Sequence, residues 1–217
     1  MASSKRKIRK IYGSLDKYFG NLGWWPADSA FEVIVGAVLT QNTAWTNVEK
    51  AITELKRNGL LNPEKIERMS DTRLARLIRS SGYHRVKAAR LKAVCRFLRD
   101  ECGSKLSRLK KENTSKLRQK LLSVNGVGPE TADSILIYAL NKPVFVVDAY
   151  TRRIFARHGL VRDDASYGEV QSIVHEDFPR EYKKLNQFHA LLVETGKRFC
   201  KKKKGLCREC PLKEISR

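Results

Sequence analysis

Apolar residues recur at three- and four-residue spacings over most of the chain, the period of amphipathic helices. Phe31, Ile34, Val35, Val38 and Leu39 form one such face, and Ser29 with Glu32 ahead of it reads as a capping box. Trp45, Val48, Ile52 and Leu55 make the next stripe, which Asn58-Gly59 ends. Pro63 opens a short helix at its first turn. Asp71 is expected to cap another, with Leu74, Leu77 and Ile78 inward and Ser81-Gly82 closing it. Val86, Leu91, Val94, Phe97 and Leu98 line a longer basic helix that stops at Gly103. Thr114 is expected to cap the helix carrying Leu117, Leu121 and Leu122, which runs into Gly126-Val127-Gly128. Ala132, Ile135, Leu136 and Ala139 then predict a buried helix. Val144 to Val147 are extended or form a tight turn. Helices resume over about 150–158, 167–178 and 182–199. No convincing sheet, repeat or low-complexity tract is visible. The pattern predicts an all-α protein in two helical lobes: a continuous bundle over 27–142, and a second lobe from 1–26 and 143–217. The cleft between them is expected to hold the glycine hairpin on one side and Asp148 near its mouth.

Charge changes this picture from a fold to a partner. The 217 residues include 44 Lys plus Arg against 23 Asp plus Glu, a formal net charge of +21. That excess marks a polyanionic partner, and its spread along the chain favours nucleic acid over a membrane surface. No apolar run approaches a transmembrane span, and no apolar signal core follows the basic start. The protein is therefore expected to act inside the cell, in the cytoplasm or at the nucleoid, as a monomer. Of the five cysteines, Cys200, Cys207 and Cys210 crowd the C-terminus, a clustering that argues for metal ligation rather than a disulfide framework.

Several residues carry candidate chemistry. Gly126 and Gly128 permit a hairpin too tight for side chains, with backbone N–H groups facing outward beside a helix N-terminus. Such a site takes an anion, here a DNA phosphate. Asp148 is either a catalytic carboxylate or the cap of the helix that follows. Trp24, Trp25 and Trp45, with Pro26 beside them, are either core or the flat walls that hold a flipped base. Gln41 ends an apolar helix, followed by Asn42-Thr43, and by itself reads as a C-terminal helix residue satisfying carbonyls. Lys201, Lys202, Lys203 and Lys204 lie between cysteines and are either a solvated run or a phosphate contact. Lys197 reads as a cation at a helix C-terminus.

Gly126-Val127-Gly128 with its flanking helices, Val146-Val147-Asp148 downstream, and the Cys200, Cys207, Cys210 spacing resemble the helix-hairpin-helix DNA glycosylases of the endonuclease III superfamily. Trp24-Trp25-Pro26, the stretch from Phe31 to Thr43, Gly82-Tyr83 and Gly196-Lys197 are similar to the 3-methyladenine DNA glycosylase III branch. The cysteine cluster is more typical of endonuclease III itself.

The resemblance implies a base-excision enzyme acting on double-stranded DNA that bears a damaged base. Asp148 would stabilise positive charge on the sugar and orient or deprotonate the attacking water. In bifunctional members a lysine stands two residues after the last hairpin glycine and forms a Schiff base. Glu130 holds that position here, so hydrolysis without strand cleavage is expected. Glu130 is otherwise a favourable first-turn acid. Lys142 and Lys197 are the remaining conceivable nucleophiles. The resemblance also makes Gln41, with Asn42, a plug for the gap left by the extruded nucleotide, and Lys197 a pocket lysine. It places Gly126, Val127, Gly128 and Thr131 on the DNA strand. It implies a [4Fe–4S] cluster on Cys200, Cys207 and Cys210, with Ser216 where the family has its fourth cysteine, and a monovalent cation at the hairpin. Zinc on three thiolates is an alternative. The expected substrate is an alkylated purine, 3-methyladenine above all. The alternatives are an endonuclease III-like or mismatch-type pyrimidine glycosylase, and a non-catalytic helix-hairpin-helix DNA-binding protein.

Overall fold

The computed structural model describes residues 2–215, with side chains from residue 6 onward. Its elements are α1 (Ala2–Phe19), α2 (Ala30–Leu39), α3 (Trp45–Arg57), α4 (Pro63–Arg68), α5 (Asp71–Leu77), α6 (His84–Cys102), α7 (Leu106–Leu109), α8 (Thr114–Leu122), α9 (Pro129–Ser134), α10 (Ala149–Arg157), α11 (Tyr167–Asp177) and α12 (Tyr182–Arg198). A 3₁₀ turn, Arg79–Ser81, follows α5, and α9 runs on into a π turn over Ile135–Ala139. No strand occurs among the described residues. The chain divides into two compact units, Met1–Trp24 with Pro143–Arg217, and Trp25–Lys142.

The Trp25–Lys142 unit is built around α2. Every residue from Phe31 to Leu39 is buried, so α2 is apolar all round rather than on one stripe. Helices α3, α6 and α9, with the π turn, pack against it. Lys87 of α6 is 1 % exposed, and its ammonium donates to Leu39 O at 2.8 Å and to Ser81 O. It thereby closes the C-terminus of α2 and the 3₁₀ turn together. Bonds from a charged donor are worth about 1.5–3 kcal/mol each, which makes this lysine a structural tie.

Several caps differ by one residue from the pattern reading. Ser70, not Asp71, is the N-cap of α5, and Asp71 at the first helical position pairs with Lys92 at 2.6 Å. Asn113 caps α8 by accepting from Lys116 N at 3.1 Å, which leaves Thr114 inside the helix. Ser29 does accept from Glu32 N, but the Glu32 carboxylate reaches back to Asp28 N at 2.9 Å instead of to the cap residue. Each local signal placed a helix start correctly in kind, because neighbouring Ser, Asn, Asp and Thr compete for one role. Val86, expected on the apolar face of α6, is 50 % exposed. It lies in the first turn of α6.

The other unit packs α1 against α11 and α12, and α10 against α12. Ile8, Ile11 and Leu15 of α1 are fully buried. Their i, i+3, i+7 spacing is masked in sequence by the basic residues between them. Tyr12, Phe178, Phe188 and Phe145 form an aromatic core, with ring centroids 4.9–5.6 Å apart. Gly196 lets α10 approach α12: a Cβ there would stand 2.2 Å from Tyr150 Cδ1. No helix among the described residues is long and apolar enough to cross a membrane.

Candidate active site and DNA-contact elements

Asp148 is the N-cap of α10, in extended backbone, and its Oδ1 accepts from Thr151 N at 2.7 Å. The capping role is therefore real. It occupies one oxygen. The other, Oδ2, lies 3.8 Å from Nε2 of His189 on α12. The two side chains are 14 % and 7 % exposed, so the pair sits in a largely dry setting that strengthens its electrostatics. Burial pushes the His189 imidazole below its ordinary value, and the Asp148 charge only partly opposes this. A neutral imidazole beside the carboxylate results near pH 7. Sequence reasoning missed His189, since a lone histidine in the apolar stripe of α12 has no spacing that ties it to Asp148.

In the same unit Trp24 lies under Lys197, whose Nζ is 5.2 Å from the ring centroid and 3.0 Å from Glu194 Oε1. This is a cation–π geometry, so Lys197 does more than complement the end of α12.

The Trp25–Lys142 unit assembles the other aromatics. Trp25 and Trp45 meet edge to face with centroids 4.9 Å apart, and Tyr138 lies 5.2 Å from Trp25. Gly36 of α2 makes room for them, since a Cβ there would come within 3.2 Å of Trp25 Cζ2 and 3.5 Å of Trp45. Trp45 Nε1 donates to Glu49 Oε1 at 2.7 Å. Pro26 is exposed. The tryptophans thus fall into two groups, Trp25 with Trp45 in one unit and Trp24 with Lys197 in the other.

The hairpin joins α8 to α9. Val127 N donates to Val124 O at 3.0 Å, and Arg118 grips the fully buried Asp133 with two bonds of 2.7 and 3.0 Å. Gly126 has φ +82°, and a Cβ on it would stand 2.2 Å from Arg90 Cγ. Gly128 differs. Its φ of −88° is ordinary and nothing lies within 4 Å of where its Cβ would be. The turn itself therefore demands one glycine, not two; the second leaves the backbone open from outside. Val127 and Thr131 are buried, and Glu130 is exposed in the first turn of α9. Gln41 ties into the same place. Its amide donates to Gly126 O at 3.1 Å and Thr131 Oγ1 at 2.9 Å, and its carbonyl accepts from Arg90 at 2.5 Å. Asn42 is exposed at φ +52°. Lys142 is buried, and its ammonium donates to the carbonyls of Lys110 and Glu112, which removes it from the nucleophiles considered above.

Cys200, Cys207 and Cys210 line one cavity of about 330 Å³, floored by Ile154, Phe199 and Leu212. Arg157 donates to Cys200 Sγ at 3.2 Å and to Lys201 O at 2.8 Å. Burial pushes the Cys210 thiol up, and the neighbouring Cys200 and Cys207 push it the same way. Among the described residues no three His, Cys, Asp or Glu side chains converge as a single-ion site. Ser216 lies outside the described residues. Lys201, Lys202, Lys203 and Lys204 are all exposed.

The family model of the HhH-GPD superfamily base excision DNA repair protein matches residues 35–180, and the chain belongs to that superfamily, as a DNA glycosylase of the endonuclease III family. An assigned DNA repair glycosylase of Methanocaldococcus jannaschii is 48% identical over 209 residues, covering 96% of this chain and 94% of its own. The endonuclease III of Thermotoga maritima is 31% identical over 183 residues, 84% of this chain and 80% of its own. Among solved structures, an endonuclease III–DNA covalent intermediate superposes with a TM-score of 0.84 at 25% identity, covering 98% of this chain and 95% of that one. The H. pylori 3-methyladenine DNA glycosylase bound to 1,N6-ethenoadenine superposes with a TM-score of 0.75 at 30% identity, covering 90% and 97%.

Proposed function

We propose that this protein is a monofunctional DNA glycosylase that binds duplex DNA, extrudes an alkylated purine such as 3-methyladenine and hydrolyses its N-glycosidic bond. The observation that carries the reading is the division of labour within Asp148. One oxygen is fixed by the α10 cap, and the second stands beside a buried imidazole. A carboxylate held this way can stabilise the cationic sugar and guide a water. An alkylated purine is cationic, which suits aromatic faces such as Trp24, Trp25 and Trp45. It is also a good leaving group, so no strong general acid is required. Glu130 at the position of the Schiff-base lysine, with Lys142 committed to carbonyls, supports hydrolysis without lyase chemistry. Gly126, Val127, Gly128 and Thr131, with Gln41 and Asn42, would meet the DNA strand, and Lys201 to Lys204 would add phosphate contacts.

Cys200, Cys207 and Cys210 fit a thiolate-held iron–sulfur cluster in chemistry and in placement around one cavity. Such a cluster would tie the basic loop to α10 and contribute structure. The fourth ligand would be Ser216 or another group.

The cysteine set also supports a second reading, an endonuclease III-like glycosylase acting on a damaged pyrimidine. A panel of duplexes, each with one lesion, assayed for released free base with wild type and Asp148→Asn, separates these. Release of 3-methyladenine by wild type alone is expected. Release only of oxidised pyrimidines overturns the purine assignment, and full release by Asp148→Asn overturns the catalytic one.

A further inference from the structure

The segment leading into Asp148 has an unusual problem to solve. Val144, Phe145, Val146 and Val147 are all buried, yet they are neither helix nor strand, and no strand among the described residues offers them a ladder. Buried backbone N–H and C=O groups must be paired. Here side chains from one helix do much of the pairing. Phe145 N donates to His175 Nε2 at 3.0 Å, Gln171 Nε2 donates to Phe145 O at 2.6 Å, and Val147 N donates to Tyr167 Oη at 3.3 Å. Tyr167, Gln171 and His175 stand four residues apart on α11 and so share one face. They bond the segment's backbone at Val147 and then twice at Phe145, so α11 runs antiparallel to it, as a neighbouring strand could. The other side of the segment is closed by Phe145, whose ring meets Phe188 at 5.5 Å and His189 at 6.2 Å, and His189 is the residue that faces Asp148.

We propose that Tyr167, Gln171 and His175 form a side-chain ladder that sets the position of Asp148, and that they are positioning residues for base release. The proposal rests on the catalytic reading of Asp148. Val147 is covalently adjacent to Asp148, so its anchorage by Tyr167 limits where the carboxylate can stand. A displacement of about an ångström at a reacting group can cost a hundredfold in rate. The ladder requires an acceptor at His175, a donor at Gln171 and an acceptor at Tyr167.

The test pairs a measurement of geometry with one of chemistry. Amide hydrogen exchange in the full-length protein reads the ladder directly. His175→Leu is expected to speed exchange at Phe145, and Tyr167→Phe at Val147, each by roughly tenfold or more, with the core of α12 unchanged. His175→Gln, which restores an acceptor at the reach of Nε2, is expected to return Phe145 to slow exchange. Single-turnover release of methylated bases from dimethyl sulfate-treated DNA reads the consequence. His175→Leu and Gln171→Met are expected to slow release roughly tenfold or more, with DNA affinity close to wild type and Tm lowered by only a few degrees, as one buried group loses its partner, and His175→Gln to recover both. Unchanged exchange at Phe145 and Val147 overturns the ladder. Faster exchange with an unchanged release rate overturns its positioning role. Wild-type release by Asp148→Asn instead overturns the catalytic reading beneath it, and leaves the exchange result standing on its own.

Discussion

Oδ2 of Asp148 lies 3.8 Å from Nε2 of His189, a carboxylate and an imidazole both largely shut away from water. Burial holds the histidine below its ordinary value, with Asp148 opposing. The sign of the linkage follows. The folded protein resists binding a proton that the unfolded chain accepts below about pH 6.5, so stability falls as pH drops through that value toward the lower folded one. Denaturant midpoints measured from pH 7.5 to 5 should show this loss. His189→Gln should flatten the slope in that window; an unaltered slope would show that other groups carry the pH dependence and that folding does not depress the His189 imidazole.

Asp148 combines a cap with the proposed chemistry, and two substitutions separate them. Asn accepts a cap bond as well as Asp does, so Asp148→Asn should leave Tm near wild type. Asp148→Ala should cost about 1 kcal/mol. Both should slow base release by about 10²–10⁴-fold. Equal stability losses in the two variants would mean that the Thr151 bond contributes little to the fold.

The two hairpin glycines should respond differently to alanine. Gly126→Ala strains a left-handed backbone by roughly 1–2 kcal/mol and drives into Arg90, displacing it from Gln41. Loss of both stability and DNA affinity is expected. Gly128→Ala meets open space in ordinary backbone, so Tm should hold while DNA affinity falls. If Gly128→Ala binds DNA like wild type, the strand does not approach that glycine.

Borohydride reduction with abasic duplex DNA should trap no covalent adduct on the wild-type protein. Glu130→Lys, which restores an amine at the exposed second position of α9, should produce one, detectable as a shifted band on a denaturing gel. A strong wild-type adduct would place a nucleophilic lysine elsewhere in the chain.

Much of this molecule is legible before folding is considered. Helical periodicity, glycine and proline punctuation and the N-cap residues determine most of the helices from α2 onward to within a residue or two, because those signals act over one or two turns of chain; α1 escapes them, since basic residues hide its apolar stripe. Net charge points to a polyanion, and the glycine hairpin with Asp148 downstream names the family. What sequence could not supply are contacts between residues far apart in it. His189 meets Asp148, Lys197 lies over Trp24, Arg90 crosses Gly126 and Lys87 closes α2 only because separate helices pack together. The irregular run from Val144 to Val147 is the clearest case. Its hydrophobicity predicts burial, but burial left its amides and carbonyls in need of partners, and only the packing of α11 determined that Tyr167, Gln171 and His175 would provide them.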